Sequence, residues 1–537
     1  MKESMPKTSI KVFNTVGPCI PSKHYMLPVL PRIPDVDEMI NGEYYFIIHA
    51  PRQSGKTSYL KYLTNHINKN NDYYALLCPL ESLDGIADRD YAINSIISQI
   101  HDALINSGIK IFKQLSEEYE PPLKLNSTSI VKNLLNFLCK NLDKELIVFF
   151  DEADCISEDP LITFLHQIRT GYINRYDSID SKFPRSMALV GMRDFRDYVK
   201  KTRSNYESRI LASPFNVKKD ALTLSNFTQD EIGFLYHQHT EASGQVFDDE
   251  SIQRAFYWTE GQPWLVNALA YETVVKILKN DYQKPVTKEL IDEAGERLIK
   301  RRDTHIDSLL ERLKDPRVAK VMDSVFASTV SNIPSNNDDR QYCIDLGLVV
   351  NNEKKELRVA NNIYKEVFSR VITDQIQEKF NKILPETPWT DGKIIFMDKI
   401  LKEFQKFWRK GSLSFPFHDS NYIASHYDEA LYSFILFAFL QRLVNSKATV
   451  FWQLAEGRGA VDLGILYKDK EYIIEVKIKG NHTEKESISQ LVGYLKSNNA
   501  SDGWLVIFDR NREKDMDKKI TWKKIKYEGK IIHIAGC

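Results

Sequence analysis

A short apolar run followed by a glycine-containing loop near the amino terminus constrains the fold of this chain more than any other feature. The run, YYFIIH over residues 44–49, predicts a β-strand, and the loop APRQSGKT follows it at residues 50–57. The residues after this loop favour a helix. In a strand–loop–helix unit of this kind, loop N–H groups and the positive end of the helix point at one spot, which favours bound phosphate. The sequence therefore predicts an α/β domain that binds a nucleotide at this loop.

The side chains of this loop predict ATP and Mg²⁺ as the ligands. The Lys56 ammonium would reach the β- and γ-phosphate oxygens, and the Thr57 hydroxyl would bind Mg²⁺. Ala50 stands where the usual motif has its first glycine, and alanine fits there if φ stays negative. Arg52 could contact the nucleotide or reach a neighbouring subunit. The predicted nucleotide-binding residues of the loop are Arg52, Gln53, Ser54, Gly55, Lys56, Thr57 and Ser58.

A second apolar run ends in two acidic residues. Residues 146–150 (LIVFF) contain no polar side chain, which is typical of a central strand in a parallel sheet, and Asp151 and Glu152 follow directly. Asp151 would hold Mg²⁺, directly or through water, and Glu152 would position or activate the attacking water. An ordinary acidic turn after a core strand is the alternative interpretation.

Two further segments are candidates for contact with the bound nucleotide. A strand predicted over residues 187–191 leads to Arg193, whose guanidinium could contact the γ-phosphate through charge-assisted hydrogen bonds. The alternative is an arginine on the surface. Gly261 and Pro263 open a later helix and could press against the adenine or ribose, although proline is also common in a first helical turn that contacts no ligand.

Together these segments resemble the AAA-like branch of the STAND NTPases, a group related to the origin-recognition ATPases. The resemblance rests on the segments FIIHAPRQSGKTS, VFFDEAD and TEGQPWLVNALA, and it extends over roughly residues 20–370. It implies a P-loop core over residues 20–221 and a helical lid over residues 222–305. The residues to which it gives a nucleotide-site role are Arg193 as the sensor and Gly261 and Pro263 in the lid.

Beyond residue 222 the sequence pattern is helical and ends in a predicted two-stranded ribbon. Thr228 and Glu231 form a capping-box pattern at the start of the first helix. Residues 306–375 combine helices with the ribbon and a polar turn, which is typical of a winged-helix module. Such a module could contact DNA or serve as a packing and regulatory clasp, and the weakly basic turn favours the clasp. Residues 376–424 are interpreted as a linker and helical connector.

A predicted β-hairpin near the carboxyl end carries a second group of candidate site residues. Glu475 and Lys477 are two residues apart on one strand, so their side chains project from the same face, and Asp462 on the partner strand can reach the same place. The carboxylates would bind one or two Mg²⁺ ions, which lower the pKa of a water and stabilise charge on a scissile phosphate. Lys477 would orient that water, and Glu429 on a preceding helix would complete the metal shell. The alternative is a hairpin with ordinary polar positions on its wet face.

The elements around this hairpin follow the order αβββαβ and resemble the PD-(D/E)xK nuclease superfamily over roughly residues 425–537. More narrowly, they are similar to nuclease-like modules fused to AAA-like ATPases in bacterial proteins. The resemblance implies that Gln490 and Tyr494 line the site. Val461 stands where the superfamily usually has proline, a replacement that leaves the carboxylates intact. A site used only for binding is the alternative to an active nuclease.

Composition limits the partners of the chain. Its 73 Lys and Arg residues balance 73 Asp and Glu residues, so the net charge is zero and any basic groove for nucleic acid must be local. Six scattered cysteines form no zinc or disulfide pattern, which fits a reducing cytosol. The longest apolar stretch, residues 430–440, is too short to span a bilayer. We therefore expect a cytoplasmic protein without membrane contact.

The sequence predicts an α/β multidomain protein with a P-loop AAA-like core, a helical lid, a winged-helix-like module and a nuclease-like domain. The function expected first is an ATPase that regulates a Mg²⁺-dependent endonuclease, cutting DNA in bacterial defence against phages or mobile elements. That biological setting comes from the resemblance alone. The alternatives are an ATP-switched oligomerising scaffold and a DNA-binding remodeller whose nuclease fold only binds. The expected partners are ATP, Mg²⁺, nucleic acid, further copies of the chain and a trigger that the sequence does not specify.

Overall fold

The structure is a computed structural model of the 537-residue chain. It divides into two compact units, Met1–Leu298 with Asp345–Gly347, and Ile299–Ile344 with Leu348–Cys537. The residues that it describes are 10–28, 30–70, 72–118, 128–178, 180–192, 218–301, 304–327, 334, 337–352, 357–378, 388–411, 427, 430–444, 448–452, 463–468, 470–480, 483–511 and 514–537.

The first unit contains a five-stranded parallel sheet. Its strands are Tyr45–His49 (β1), Tyr74–Pro79 (β2), Leu146–Asp151 (β3), Ser186–Gly191 (β4) and Lys218–Thr223 (β5). They lie in the order β2-β3-β4-β1-β5 and all run in the same direction, so their carboxyl ends share one edge of the sheet. β3 is buried at every position and has a neighbour on both sides, as its apolar sequence predicts.

Helices cover both faces of this sheet. They are Val36–Asn41 (α1), Lys56–Asn70 (α2), Arg89–Asn106 (α3), Lys110–Glu118 (α4), Ile130–Asn141 (α5) and Glu158–Asn174 (α6). Alternate residues of β1 point to opposite faces: Phe46 and Ile48 pack with α1 and α2, whereas Tyr45 and Ile47 pack with α3 to α6. The apolar run that predicts β1 is therefore shared between two cores.

A group of helices follows the sheet. They are Gln229–Ser243 (α7), Asp249–Thr259 (α8), Pro263–Tyr271 (α9), which continues into the π-helical turn Glu272–Ile277, and Lys288–Arg301 (α10). The predicted capping box at the start of α7 is confirmed. The Thr228 hydroxyl oxygen accepts the Glu231 backbone N–H at 3.2 Å, and the Glu231 carboxylate accepts the Thr228 N–H at 2.8 Å.

The second unit begins with a helical module and a ribbon. Its elements are Thr304–Arg312 (α11), Pro316–Phe326 (α12), Asp338–Asp345 (α13), Val349–Asn351 (β6), Leu357–Val359 (β7) and Asn362–Glu378 (α14). β6 and β7 pair antiparallel where the sequence predicts a ribbon. Residues 353–356, which hold the end of the predicted turn and the first residue of the predicted return strand, lie outside the described residues. The winged-helix assignment and the domain boundaries given above stay predictions.

The rest of the second unit is a mixed α/β domain. Its elements are Met397–Gly411 (α15), Leu431–Val444 (α16), Thr449–Trp452 (β8), Leu463–Tyr467 (β9), Lys470–Ile478 (β10), Glu484–Ser497 (α17), Asp502–Phe508 (β11), Met516–Lys519 (α18), Thr521–Tyr527 (β12) and Lys530–Gly536 (β13). The strands lie in the order β12-β13-β11-β10-β9-β8. β9 and β10 form the predicted hairpin, and β11 runs parallel to β10. From α16 to β11 the elements follow in the predicted order.

Different helices cover the two faces of this mixed sheet. Ile473 of β10 and Leu505 of β11 pack with apolar residues of α17 on one face. On the other face, the Gln405 side-chain amide of α15 donates to the carbonyls of Thr521 at 2.8 Å and Gly536 at 2.7 Å. α15 lies in the stretch interpreted from sequence as a connector, and the structure packs it directly onto the sheet.

The helical module of the second unit packs against α16. The Asp323 carboxylate of α12 accepts the backbone N–H of Ala430, just before α16, at 2.8 Å. The rings of Phe326 and Phe434 lie 5.2 Å apart, edge to face. Across the ranges that the structure describes, no helix combines the length and apolar character needed to cross a membrane.

Candidate functional sites

The loop after β1 has the backbone conformation of a phosphate-binding turn. Gln53 and Gly55 both have positive φ values, +58° and +93°, and an added Cβ at Gly55 would meet nothing within 4 Å. Such φ values are natural for glycine and uncommon for other residues. The buried Ser54 hydroxyl donates to the Pro51 carbonyl at 2.8 Å and closes the turn. The loop is therefore held in shape by its own residues, and Arg52 lies exposed on it.

Lys56, the first residue of α2, folds back over this loop. Its ammonium donates to the carbonyls of Ala50 at 2.6 Å and Pro51 at 2.8 Å. Burial lowers the pKa of Lys56, and the nearby carboxylates of Asp154 and Asp151 oppose that effect. The amine thus lies between the loop and the acidic end of β3, where it can bind phosphate oxygens.

Thr57, the second residue of α2, and Asp151, the last residue of β3, are brought together at the carboxyl edge of the sheet. The Thr57 hydroxyl donates to Asp151 Oδ2 at 2.7 Å. Asp151 is buried, and burial raises its pKa, while the hydrogen bond from Thr57 and the charge of Lys56 act in the opposite direction. A hydroxyl oxygen beside a carboxylate is the donor set that Mg²⁺ prefers in P-loop NTPases, so these residues fit a magnesium ion.

Glu152 lies at the turn directly after β3. Its φ is +54°, in the left-handed region that only a few per cent of non-glycine residues adopt, and such outliers occur often at functional sites. Burial raises the pKa of Glu152 to about 6, and the carboxylates of Glu81 and Asp151 add to the shift. A carboxyl group whose pKa lies closer to neutrality is a better proton acceptor for an attacking water.

Asp154 is a site residue that the sequence reasoning missed. Its carboxylate accepts the Met192 backbone N–H at 3.0 Å, and a Cβ on Gly191 would lie only 2.8 Å from it. Asp154 therefore ties the turn after β3 to the end of β4. Arg193, the predicted sensor, follows Met192 directly but lies outside the described residues, so its role stays a prediction. The signal available in the sequence was a third acidic residue in VFFDEAD.

The segment Gly261-Gln262-Pro263 approaches the phosphate loop, whereas the predicted contact of Gly261 and Pro263 with the adenine or ribose stays a prediction. Gly261 has a φ of +72°, and a Cβ there would lie 1.7 Å from the Phe227 carbonyl oxygen, so no other residue fits without a shift. Pro263 begins α9. The contact to the loop comes from Gln262, whose side-chain amide donates to the Gln53 carbonyl at 3.4 Å. Sequence reasoning selected the glycine and the proline but not the glutamine between them.

The amino-terminal segment also reaches this region, which sequence reasoning did not predict. The Cys19 backbone N–H donates to the Ser58 hydroxyl oxygen of α2 at 2.9 Å. The Trp264 indole N–H of α9 donates to the Thr15 carbonyl at 2.9 Å. The segment therefore joins the helix after the phosphate loop to the helix after Gly261.

The second candidate site lies on β10. Lys477 Nζ and Glu475 Oε1 form an ion pair at 2.7 Å, with the Glu475 side chain 1% exposed and that of Lys477 10% exposed. The two residues lie on the face of the sheet that Ile473 shares with α17. The prediction that they project from one face is confirmed.

Gln490 and Tyr494 lie four residues apart on α17, and both are half-buried. Tyr494 packs against the apolar cluster that contains Ile473, so α17 covers the same face of the sheet as Glu475. Asp462 and Glu429 fall outside the described residues. Among the described residues no group of three or more His, Cys, Asp or Glu side chains could hold a metal ion, and this metal site stays a prediction.

In the comparison with known proteins, two different family models match two separate parts of the chain. A family model described as an AAA-like domain matches residues 36–370. A second model, described as a domain of unknown function (DUF8371), matches residues 395–512. No curated protein matches the chain in sequence.

Several solved structures are similar to part of this chain at low identity. The Walker-type ATPase PABY2304 of Pyrococcus abyssi is 15% identical, with a TM-score of 0.44, and the match covers 66% of this chain and 99% of that one. The Aeropyrum pernix ORC2 protein is 14% identical, with a TM-score of 0.37 and coverage of 64% and 91%. The Thermotoga maritima RuvB Holliday junction branch migration motor is 11% identical, with a TM-score of 0.33 and coverage of 62% and 91%.

The family model spans more than half of the chain and includes the phosphate loop, the acidic end of β3 and the Gly261 segment. The Thr57–Asp151 pair beside the phosphate loop fits ATP with Mg²⁺. The chain therefore belongs to the AAA-like domain family of P-loop ATPases, and it carries a carboxyl-terminal domain of unknown function.

Proposed function

We propose that this chain is an ATP-controlled, Mg²⁺-dependent endonuclease that cuts DNA, with the AAA-like unit as the switch. The observation that carries the proposal is the buried ion pair of Glu475 and Lys477 on β10. The free-energy cost of removing two charges from water often exceeds the gain from their attraction. A pair buried to this degree therefore adds little to stability, which favours a role in function. A buried carboxylate and amine two residues apart, on the third strand of an αβββαβ order, support a phosphodiester-cutting site.

In the ATPase site each residue has a separate task. Lys56 would bind the β- and γ-phosphate oxygens, and Thr57 and Asp151, which are hydrogen-bonded to each other, would hold Mg²⁺. When bound, the metal neutralises charge that develops on the phosphates. Glu152 accepts a proton from the water that attacks the γ-phosphorus, and the bond to the β–γ bridging oxygen breaks as ADP leaves.

In the nuclease site, Glu475 would hold Mg²⁺ together with Asp462 and Glu429. The metal, when bound, would acidify a water and stabilise charge on the scissile phosphate. The Lys477 ammonium, fixed by Glu475, would donate a hydrogen bond to the attacking hydroxide and orient it. The phosphorus–oxygen bond to the leaving sugar then breaks.

The hydrogen bond between Asp323 and Ala430 supports a route for control within the second unit. Asp323 belongs to the helical module, and Ala430 directly follows the predicted metal ligand Glu429. A shift of α12 would therefore move the start of α16 and with it a ligand of the cutting site. We propose that the ATP-dependent movement of the helical module acts on cleavage through this contact.

The experiment that tests the proposed function uses the purified full chain with plasmid and single-stranded DNA, with Mg²⁺ or EDTA, and with or without ATP. Cleavage that needs Mg²⁺, is lost in Glu475→Gln and changes with ATP is the expected result. Cleavage that Glu475→Gln leaves unchanged would assign the activity elsewhere. If the wild type binds DNA and hydrolyses ATP but never cuts, the remodeller alternative replaces the nuclease.

The defence setting is tested separately in bacteria. Expression of the wild-type chain should lower phage plaque numbers, and Glu475→Gln should restore them to the level of cells without the protein. Equal plaque numbers in all three strains would remove the defence role and leave the biochemical proposal intact.

A further inference from the structure

The exposed side of α15 is predominantly basic. From residue 397 to residue 410, each position that the structure leaves exposed carries lysine or arginine. The opposite side of the helix is apolar and buried against the domain. The exposed positions are Lys399, Lys402, Lys406, Arg409 and Lys410.

The neighbouring edge strand β12 extends this surface. Lys524 lies directly opposite His533 of β13, and directly opposed residues of antiparallel strands share a face. His533 Nδ1 lies 2.9 Å from Asp398 Oδ1 of α15, so that face is the one that α15 covers. Lys402 Nζ lies 5.1 Å from the ring centre of Trp522. Trp522 is two residues before Lys524 on β12, so both side chains project from the same face. Lys526, two residues further, is exposed on the same face.

We define the basic face as the seven cations of α15 and β12 on this side of the sheet. It comprises Lys399, Lys402, Lys406, Arg409, Lys410, Lys524 and Lys526. Across a chain with no net charge, this is a local concentration of positive charge of the kind that nucleic acid requires.

Three carboxylates offset these charges in part, and the side chain of one of them, Asp398 of α15, is 42% exposed and lies against His533. Glu403 pairs with Lys406 at 2.7 Å, and Asp517 pairs with Arg409 at 2.6 Å. Lys406 and Arg409 are 69% and 58% exposed, and ion pairs at such positions contribute little, so both cations can turn to a phosphate. Within the described part of the chain, Lys402, Lys524 and Lys526 form no ion pair.

We propose that the basic face binds the phosphate backbone of a DNA duplex. α15, with 15 residues, is about 22 Å long, and a duplex carries one negative charge per about 1.7 Å of its axis. A lysine ammonium is a point charge that binds phosphate without recognising a particular base. The basic face would therefore set the position of the duplex and the affinity for it, but not a sequence preference. The inference rests on the proposed function for its choice of DNA as the polyanion.

The aromatic side chains at this face favour a duplex over a single strand. Proteins that hold single strands present open aromatic rings on which bases stack. Here Lys402 lies over Trp522, and Lys399 lies over Phe396, 4.4 Å from its ring centre. The absence of apolar side chains among the exposed residues of α15 also disfavours a membrane surface, which an amphipathic helix enters by its apolar side.

The basic face and the Glu475–Lys477 pair lie on opposite faces of the same sheet. Glu475 shares the face covered by α17, whereas α15 covers the other. The basic face therefore holds DNA without supplying a group to the reaction. Lysines on an edge strand can also serve to prevent strands from pairing between molecules, which would account for Lys524 and Lys526 but not for α15.

The test compares two triple variants of the full chain that lose the same charge. Lys402→Gln, Lys406→Gln and Lys524→Gln remove three cations of the basic face. The control, Lys485→Gln, Lys496→Gln and Lys523→Gln, removes three exposed lysines of α17 and of the other face of β12. Fluorescence anisotropy with a short DNA duplex in EDTA measures binding without cleavage, and thermal unfolding verifies that both variants fold.

We expect the basic-face variant to bind the duplex at least about tenfold more weakly, and its plot of log affinity against log salt to lose about 2–3 units of slope. The control should bind within about twofold of the wild type, since it keeps those phosphate contacts. Equal losses in both variants, no loss in either, tighter binding of a single strand, or binding to anionic vesicles but not to the duplex would each overturn the proposal. Normal duplex binding by a wild type that never cuts DNA would refute the proposed nuclease while leaving this inference standing.

Discussion

The Thr57 hydroxyl donates a 2.7 Å hydrogen bond to Asp151 Oδ2 and so joins the start of α2 to the end of β3. β4 lies between β1, which leads to Thr57, and β3, which ends at Asp151. Because all three strands are parallel, their carboxyl ends meet at one edge, and residues almost a hundred positions apart in sequence become partners. This contact is the point at which the phosphate loop and the acidic turn act together.

Replacing Thr57 with valine should weaken Mg²⁺-dependent binding of an ATP analogue by about tenfold, equal to about 1.4 kcal/mol. The reason is that valine keeps the volume but lacks the oxygen that would bind the metal beside Asp151. Calorimetric titration in Mg²⁺ and in EDTA measures the effect, which should be small without metal. Thr170→Val, on the exposed surface of α6, serves as the control. An equal loss with and without Mg²⁺ would show that Thr57 acts on folding or phosphate contact instead.

Replacing Glu152 with glutamine should leave ATP binding intact and slow hydrolysis by about 10²–10⁴-fold, the usual contribution of a positioned proton acceptor. In the wild type, the hydrolysis rate should rise with pH through about 6, the raised pKa of Glu152, because only the carboxylate accepts the proton. Steady-state rates from pH 5 to pH 8 measure this. A wild-type profile without that step would show that another group limits the reaction.

The same group makes a separate prediction for stability. Burial raises the pKa of Glu152 from 4.5 to about 6, so between these values the native state binds more protons than the unfolded chain. The contribution of Glu152 to the free energy of unfolding therefore falls as pH rises through that window. Glu152→Gln should raise the unfolding temperature at neutral pH and have less effect at pH 4. A variant that unfolds at a lower temperature at both pH values would contradict this sign.

Replacing Gly261 with alanine should lower the free energy of unfolding by about 1–3 kcal/mol, because a φ of +72° strains other residues and the Cβ would meet the Phe227 carbonyl. It should also weaken ATP binding by moving Gln262 away from Gln53. Denaturant unfolding and nucleotide titration measure the two effects. Gly233→Ala is the matched control: it lies within α7 with its nearest neighbour at 3.8 Å, so it should be neutral or stabilising. Similar losses in both variants would show that the Gly261 position has no special requirement.

Local sequence signals predicted the elements that form the ATPase site. Each signal is contained in a short stretch of sequence: the apolar runs predict β1 and β3, and the capping box predicts the start of α7. The structure has all three at the expected places. β5, with the sequence KKDALT, was not predicted, because its pairing with β1 comes from a residue range far away in the chain. Polar sequence at the edge of a sheet carries little periodic signal.

The contacts within the site were harder to predict than its elements. Asp154 is hydrogen-bonded to Met192, and Gln262 is hydrogen-bonded to Gln53. The sequence around Asp154 and Gln262 contains no pattern that predicts these distant partners. The basic face of α15 was overlooked for a different reason. Its helix was expected, but only the packing of Gln405 on the sheet shows which side is buried and that the exposed side is predominantly basic. The composition gives no sign of the basic face, because the net charge of the whole chain is zero.

The ion pair of Glu475 and Lys477 makes the last prediction. Replacing Lys477 with methionine leaves a carboxylate buried at 1% exposure without its amine, and such a loss typically costs about 3–5 kcal/mol. The double variant with Glu475→Gln should recover much of that stability, because the remaining amide is neutral. Lys496→Met, which breaks an exposed pair with Glu528, should cost no more than about 1 kcal/mol and is the control.

The double-mutant cycle consists of the wild type, Lys477→Met, Glu475→Gln and the double variant. Denaturant unfolding of these four proteins gives the coupling energy between Glu475 and Lys477. Plasmid cleavage gives a second measurement on the same samples. The proposed function requires that the double variant remain inactive even where it regains stability, because the metal-binding carboxylate and the orienting amine are both gone. Recovery of cleavage together with stability would mean that the pair only holds the sheet together. Loss of stability in Lys477→Met no greater than in Lys496→Met would show that the burial of the pair carries no energetic cost and would remove the argument that assigns it a function.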